Sequence, residues 1–526
     1  MNSNMQSLNF DINDIVNKSF DNFIQQNQIL YPNLNRKILE EWNFEENLKQ
    51  MKIINDFENE DFIKSLPNIF ELKENSKPTL IKALLSIQYI SENQLYLCAK
   101  YDKKLQKYET NKFHEPNNLE INDNDNIDNY DNNSYSSGTS ILCDRLSLTC
   151  VKIKGLNPII SNEFYYNKSN NDKIIVLDYT NKYNKINKTF LVIGAGYYKN
   201  GFYLIHSWKI IPNYLSNKFE KLYTSLSLNN SKDLIYINLK QILLDIFNND
   251  SIVCDYIILY LFSQVLSRIG LKTIGVLSLN IILDKKDTLS NEKIEKFHNL
   301  LKSICLSISY INITIKDLNI KRYYSKFDVE KEELEEGELQ LIDGAFVLLN
   351  EMKMGEGKLE DIGCKNVQTI KNLIDFEKIN YEYPFNNVEM PHNIQLITFS
   401  NGNNSIFKSP FLVSLPINKF EKKEEDEIMI EDNIMEKIFI FINYIRLNPS
   451  YLSNFKITDE NSNKIQKDYL EKNKKMNVDE FDLMLNMSRL FALSNGRNEL
   501  LFSDYEYVYQ IEKQRKERLN KNIINK

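Results

Sequence analysis

The stretch GAFVLLNEMKMGEG, residues 344–357, decides how the centre of this chain is read. Ala345-Phe346-Val347-Leu348-Leu349 is an unbroken apolar run bounded by turn residues, the pattern of a strand buried on both faces of a parallel sheet. It ends in Asn350 and the carboxylate of Glu351. Nucleotide hydrolases place a Mg²⁺-holding acid and a water-orienting acid at such a strand end, so the stretch raises a question of chemistry as well as of fold.

That chemistry needs more than one acid. A P-loop requires a glycine-rich turn after the first core strand, so that backbone N–H groups wrap the phosphates, Lys reaches the outer ones and Ser/Thr holds Mg²⁺. The corresponding turn follows VLSLNII (276–282) and reads LDKKDTLSNEK, with no glycine and no GKS or GKT. Lys285 and Lys286 are followed there by Asp287. Asn350 is neutral where a second acid is wanted and supplies no charge toward Mg²⁺. GEGK (355–358) follows the wrong strand. Glu351 is therefore expected as a capping or solvated residue rather than a catalyst, and no cofactor or metal is expected.

Outward from this strand, helices and strands alternate across residues 235–416: helices IYINLKQILLDIF, CDYIILYLFSQVLSRI, EKIEKFHNLLKSICL and VQTIKNLIDFE, strands VLSLNIIL, SYINITI, GAFVLLNE and IQLITFS. Alternation of this kind predicts a mostly parallel sheet covered on both faces. An acidic linker (417–434) leads to a helical C-terminal domain (435–526). Toward the start, residues 1–75 place Ile15, Phe20, Phe23, Ile24, Ile38, Leu39 and Trp42 at helical spacing, predicting a helical N-terminal region.

Between them, residues 76–212 carry short strand-like runs. LIKALLSIQYI and QLYLCAKYD read as a hairpin around Ser91-Glu92-Asn93. ILCDRLSLTCVKI, DKIIVLDYT, KTFLVIGAGYY and GFYLIHSWKII follow. Such a run of strands predicts a small Greek-key barrel of the OB type. The polar stretch 114–139 is expected to be a disordered loop within it, since it has too little apolar surface to offset the entropy of ordering. The fold class expected is thus mixed and multidomain: a helical N-terminal region, an OB-like barrel, a mostly parallel α/β core and a helical lid.

Composition limits the function classes. Of 526 residues, 42% are hydrophobic and 26% charged, ordinary for a soluble protein with several cores. Net charge is −7, from 65 basic and 72 acidic residues, and no domain-scale basic stripe is present, so nucleic acid is disfavoured as the main ligand. The six cysteines form no CxxC pair and the four histidines no HxxxH or HExxH, which leaves metal binding and disulfides without support. No secretory signal is evident at the N-terminus. YIILYLF (256–262) is far shorter than the ~20 apolar residues of a membrane span and reads as a core helix. The acidic runs EKEELEEGE (330–338) and EKKEEDEIMIED (421–432) read as solvated linkers, and KQRKERLNK (513–521) as the cationic end of a terminal helix or an import element.

The block Leu349 to Ile406 resembles the signature region of the MCM-binding protein family, whose partners are the minichromosome maintenance (MCM) helicase subunits. The residues that carry it are Gly357-Lys358-Leu359, Asn366-Val367, Ile370, Leu373-Ile374, Lys378, Tyr381, Met390-Pro391 and Asn393-Ile394. DYIILYLFSQVLSRI (255–269), TLIKALLSIQYISENQLYL (79–97) and the terminal stretch 478–519 are similar to further family segments in the same order. The resemblance implies a nuclear, non-enzymatic partner or chaperone of MCM subunits. It implies action in MCM assembly or unloading during DNA replication and in sister-chromatid cohesion, with chromatin reached indirectly through MCM. It further implies an MCM-like layout: a β domain, a degenerate AAA+-type core and a helical lid. No arginine lies in GNNSIFKSPFLVSL (402–415) to act on a neighbour's phosphate. Asp479 stands about where an MCM lid carries a phosphate-sensing arginine.

Candidate contact elements are the 378–392 hairpin, with Tyr381, Tyr383, Phe385, Met390 and Pro391, and the helical tail. For Tyr381, Tyr383 and Phe385 core packing of the hairpin is the competing assignment. Two alternatives stay open. One is an active AAA+-type ATPase with a divergent P-loop. The other is an OB-fold single-strand binder stacking bases on Tyr96, Tyr101 and Tyr108. On the leading reading there is no membrane partner and no direct nucleic-acid ligand.

Overall fold

The structure, a computed structural model, describes residues 11–524 apart from 55, 75–76, 92, 115–135, 138–139, 165–172, 181, 184, 227, 229–231, 271, 284–289, 332, 402–404, 408, 410–411, 418–432 and 473–476. Most of the expected loop 114–139, the turn with Lys285, Lys286 and Asp287, and most of the acidic linker lie outside the described residues. The chain folds as a mixed α/β protein of two compact units. One comprises Met1–Lys152 and Ser161–Tyr214, the other Ile153–Ile160 and Leu215–Lys526.

The first unit begins with helices α1 (Ile12–Gln26), α2 (Arg36–Glu40), α3 (Phe44–Gln50) and α4 (Glu60–Ser65). Asn and Asp residues cap them: the side chains of Asp11, Asn35, Asn43 and Asn59 each accept a first-turn amide hydrogen. The buried face of α1 (Ile12, Ile15, Val16, Phe20, Phe23) meets Trp42, whose ring lies 5.0 Å from that of Phe20. Strands β1 (Thr79–Ile90), β2 (Gln94–Asp102), β3 (Lys107–Thr110), β4 (Ser136–Ser137) and β5 (Ser140–Val151) follow, then α5 (Pro158–Phe164), β6 (Lys173–Asp178), β7 (Thr189–Lys199) and β8 (Phe202–Ile211).

Their pairings form a closed circuit. β1 is antiparallel to both β5 and β7, β5 to β6, and β7 to β8, while β6 and β8 run parallel. Alternate residues Ile81, Ala83, Leu85 and Ile87 of β1 enter the core with Leu148, Val176, Val192 and Ile205. Among the described residues no pairing joins β1 to β2, contrary to the hairpin expected from their sequences. The reason is the length of β5: its 12 residues pair with β2 through the first half and with β1 through the second, so both strands reach the sheet through a common partner. Gly194 sits at a break in the β7–β8 register, where an added Cβ would fall 2.1 Å from the carbonyl oxygen of His206.

The second unit opens with α6 (Tyr214–Ser225), α7 (Lys232–Ile246) and α8 (Ser251–Phe262). Every residue of α8 after Ser251 is buried, as a helix apolar all round requires. The helix stops at Phe262, earlier than the sequence reading placed it. The SRI of that reading is instead β9 (Ser267–Ile269), antiparallel to β10 (Lys272–Ile274) around Gly270 at φ +61°. Arg268 fixes this ribbon by donating to the carbonyls of Phe376 (3.0 Å) and His392 (2.6 Å).

Then come β11 (Ser278–Leu283), α9 (Ser290–Ile304), β12 (Ile308–Asn312), α10 (Ile315–Ile320), β13 (Ser325–Asp328), β14 (Glu333–Glu335), β15 (Phe346–Asn350), α11 (Asp361–Phe376), β16 (Lys378–Tyr383), β17 (Asn386–Pro391), β18 (Gln395–Asn401) and β19 (Leu412–Pro416). The main sheet has the order β12-β15-β18-β11-β19 and is parallel throughout. Numbered by position along the chain within this sheet, the order is second, third, fourth, first, fifth. β15 is buried at every position, as its unbroken apolar run predicts. Phe399 of β18 meets Phe247 and Phe297 on one face. A smaller four-stranded sheet, β14-β13-β16-β17, carries the 378–392 hairpin.

Residues 333–335 are a strand rather than part of a solvated linker. Leu334 is buried, and Glu335 projects to Arg322 (2.7 Å) and Lys331 (3.0 Å). Helices α12 (Ile434–Leu447), α13 (Pro449–Ser453), α14 (Asp459–Lys472), α15 (Val478–Ser494) and α16 (Phe502–Ile524), with the short pair β20 (Lys456–Ile457) and β21 (Glu499–Leu500), complete the unit. Buried hydrogen bonds and an ion pair fasten α16 to the rest. Tyr256 donates to Glu512 (2.5 Å), Arg515 donates to Glu512 and to the carbonyl of Ser414 (2.8 Å), and Arg518 donates to Asp250 (2.8 Å). The basic run 513–521 thus lies within α16, and its arginines are engaged in the fold.

Candidate functional site

Two places in the second unit bear on function: the end of β15 and the β16–β17 hairpin. At the end of β15 the chain turns so that the amide of Glu351 donates to the carbonyl of Phe399 (2.9 Å), which directs its side chain into the protein. Ser405 donates its hydroxyl to one carboxylate oxygen of Glu351 (2.7 Å) and the amide of Ile406 donates to the other (3.3 Å). Burial pushes the carboxyl up to about 7, with the two hydrogen bonds pulling the other way. Glu351 is only 5% exposed, so it is not the solvated residue the sequence allowed. It caps the loop that follows β18.

Asn350 is engaged as well. Its amide donates to the hydroxyl of Tyr310 (2.9 Å) and to Asn312 (3.1 Å), and its oxygen accepts from the amide of Met352 (3.0 Å). The polar groups at this strand end are therefore directed at neighbouring parts of the chain. On α15, Asp479 accepts from Lys272 (3.3 Å), which also binds Asp482. Among the described residues no group of three or more His, Cys, Asp or Glu side chains could hold a metal ion. No described helix is long and apolar enough to cross a membrane. Cys98, Cys143, Cys150, Cys254 and Cys305 are buried free thiols and Cys364 is exposed.

The hairpin residues divide. β16 and β17 pair with Tyr381 opposite Val388 and Ile379 opposite Met390, so Tyr381, Tyr383 and Met390 share one face. α11 packs against β16, and Tyr381 is buried. Tyr383 is half-buried, its ring 6.0 Å from that of Phe327. Core packing thus accounts for Tyr381 and in part for Tyr383. Pro391 is exposed at the end of the edge strand, where its missing N–H is harmless. Phe385 stands apart. It lies in the two-residue turn between Tyr383 and Asn386 and is fully exposed, at 101%. Sequence reasoning missed Val329, 62% exposed in the adjacent turn after β13. A single apolar residue inside a charged run gave no periodic signal to find it.

The aromatic residues considered for base stacking are mostly occupied. Tyr96 donates to the Cys98 sulfur (3.3 Å) beneath the Arg145 guanidinium, Tyr108 is buried, and Tyr101 stacks on Tyr31 at 4.2 Å.

Residues 204–519, well over half of the chain, match the family model described as Mini-chromosome maintenance replisome factor. A Mini-chromosome maintenance complex-binding protein of Arabidopsis thaliana is 26% identical over 285 residues, covering 54% of this chain and 47% of the relative. The protein of that name in Drosophila melanogaster is 27% identical over 281 residues (52% and 45%), and that in Homo sapiens 23% identical over 280 residues (51% and 42%). The matched part of the chain spans less than half the length of each of these relatives.

Proposed function

Because the chain belongs to the Mini-chromosome maintenance replisome factor family, we propose that it binds MCM helicase subunits without catalysing a reaction of its own, as a partner or chaperone in their assembly or unloading during DNA replication. The observation that carries this reading is the family match, which runs through nearly the whole second unit. Two features support it. The parallel order of second, third, fourth, first and fifth strands is compatible with an AAA+-type core, and the closed circuit of the first unit with an OB-type barrel. A second unit built on such a core is suited to occupy a subunit's place beside its neighbours.

The non-catalytic part of the proposal rests on Glu351. A carboxylate that activates water or binds Mg²⁺ must present an oxygen to them. Here both oxygens accept hydrogen bonds from the loop after β18, and burial favours the neutral acid. Nuclear residence, chromatin reached through MCM and a part in sister-chromatid cohesion follow from the proposed partner and stand with it. Phosphate release by the purified chain tests the reading. Background release with Mg·ATP is expected, whereas hydrolysis that Glu351→Gln abolishes would overturn it in favour of an ATPase.

A further inference from the structure

We propose that Phe385, with Val329 at the same end of the small sheet, is a preformed apolar anchor that inserts into a hydrophobic pocket on an MCM subunit; this deepens the reading above and rests on it. The geometry begins with the turn. Tyr383 pairs with Asn386, leaving Pro384 and Phe385 as its two central residues. Proline at the first central position fixes its φ, so the tip is ordered before any partner arrives. Phe385 has no role in the fold that would explain its side chain, since the ring is fully exposed. Burial of the ring in a pocket would remove its apolar surface from water and so favour docking.

The neighbouring turn makes this a surface rather than a single ring. β13 runs parallel to β16, with Ser325 opposite Tyr381 and Lys326 opposite Glu382. The rings of Phe327 and Tyr383 meet at 6.0 Å, and Val329 and Phe385 lie in the turns that follow these two parallel strands. Two exposed apolar residues therefore lie at the same end of the small sheet.

The charges around the tips identify the kind of partner. Glu382 is held by Lys365 (2.7 Å) and Lys326 (3.6 Å). Lys331 bridges Asp328 (3.2 Å) and Glu335 (3.0 Å), and Arg322 holds Glu335 (2.7 Å). These lysines and the arginine are matched by carboxylates of the same sheet, so they form no cationic cluster for phosphodiesters or anionic headgroups. An uncharged, rigid aromatic tip fits a protein pocket of the kind that takes binding hot spots.

The test is an anisotropy titration of purified MCM subunits into the labelled full chain, as wild type and as Phe385→Ala, Phe385→Trp and Val329→Ala. Phe385→Ala is expected to weaken binding about tenfold or more, and Val329→Ala roughly threefold. Phe385→Trp is expected to retain affinity, and the melting temperature of Phe385→Ala to match the wild type, since the ring is wholly exposed. Raising salt from about 100 to about 400 mM is expected to change the affinity little, as an uncharged contact requires. Wild-type affinity in Phe385→Ala overturns the anchor while the family reading stands. Failure of the wild type to bind any MCM subunit overturns both. Phe385-dependent binding to anionic vesicles or single-stranded DNA overturns the choice of partner.

Discussion

Ser405 donates its hydroxyl hydrogen to Glu351 at 2.7 Å, tying the loop after β18 to the end of β15. In a parallel α/β sheet the ends of the strands are where ligands usually bind. Here that position is used to hold the chain to itself. The consequence is a dependence of stability on pH that can be worked out and measured.

Folded Glu351 keeps its proton to about pH 7, against an ordinary value of 4.5. Its contribution to stability is therefore fully present below 4.5 and is lost as the pH rises through 7. Relative to wild type, Glu351→Gln is expected to gain roughly 2 kcal/mol between pH 5 and pH 8, read from urea unfolding at each pH. A constant difference would contradict the assignment of a buried, proton-holding carboxyl.

The Tyr256–Glu512–Arg515 cluster gives a second prediction. Burial alone would raise the Glu512 carboxyl, yet the hydrogen bonds and charge of Arg515 hold it below its usual value. Glu512→Ala leaves the Arg515 guanidinium buried without its counter-charge and is expected to cost about 3–5 kcal/mol. Tyr256→Phe, which removes one hydroxyl from the same carboxylate, is expected to cost about 1–2 kcal/mol. Chemical denaturation of the second unit measures both.

Asn157 supplies a third. Its side-chain amide donates to the carbonyls of Lys302 (3.0 Å), Ser303 (3.0 Å) and Cys305 (3.1 Å), capping the C-terminal end of α9. Asn157→Ala strands those carbonyls and is expected to cost about 1–3 kcal/mol. Hydrogen exchange is expected to rise locally, in the last turn of α9. A loss of protection spread evenly over the unit would contradict a capping role.

The fourth prediction concerns the first unit. His206 is pushed down to about 3, first by burial and then by the charges of Arg145 and His114, and its Nδ1 lies 2.5 Å from the Tyr179 hydroxyl. A base whose folded value is depressed contributes stability that is present above about 6.5 and lost as the pH falls toward 3. The first unit should weaken across that window by at most about 1.4 kcal/mol per pH unit from this group. A variant with Asn at 206 should flatten the profile, which circular dichroism melts between pH 4 and 7 would record.

The parallel strand 346–350 was legible in the sequence because five consecutive apolar residues admit few other placements. That residues 79–90 contain a strand was legible too, from the strand-like run LIKALLSIQYI. Pairing was not: β1 and β2 are adjacent in sequence and both join β5, a choice made by long-range register that local pattern does not encode. The end of α8 was misread because Val265 and Ile269 continue its apolar run, whereas Gly270 turns the chain into a ribbon.

At the site, the incompleteness of the acid pair could be read from Asn350, but the capture of Glu351 by Ser405 could not. That contact joins residues 54 positions apart. Among the hairpin aromatics, sequence placed Tyr381, Tyr383 and Phe385 in one candidate group. Strand alternation puts the two tyrosines on one face of β16, opposite the face whose Asn380 and Glu382 bond α11, and Phe385 lies in the turn beyond them. A tight turn breaks the period-two rule, and only the structure located where it falls.

Binding to MCM subunits is read directly by capture of the tagged full chain from its own cells, with identification of the chains that co-purify in comparable amount. MCM helicase subunits are expected among them, retained without added nucleotide. A capture in which no MCM subunit rises above an untagged control would contradict it.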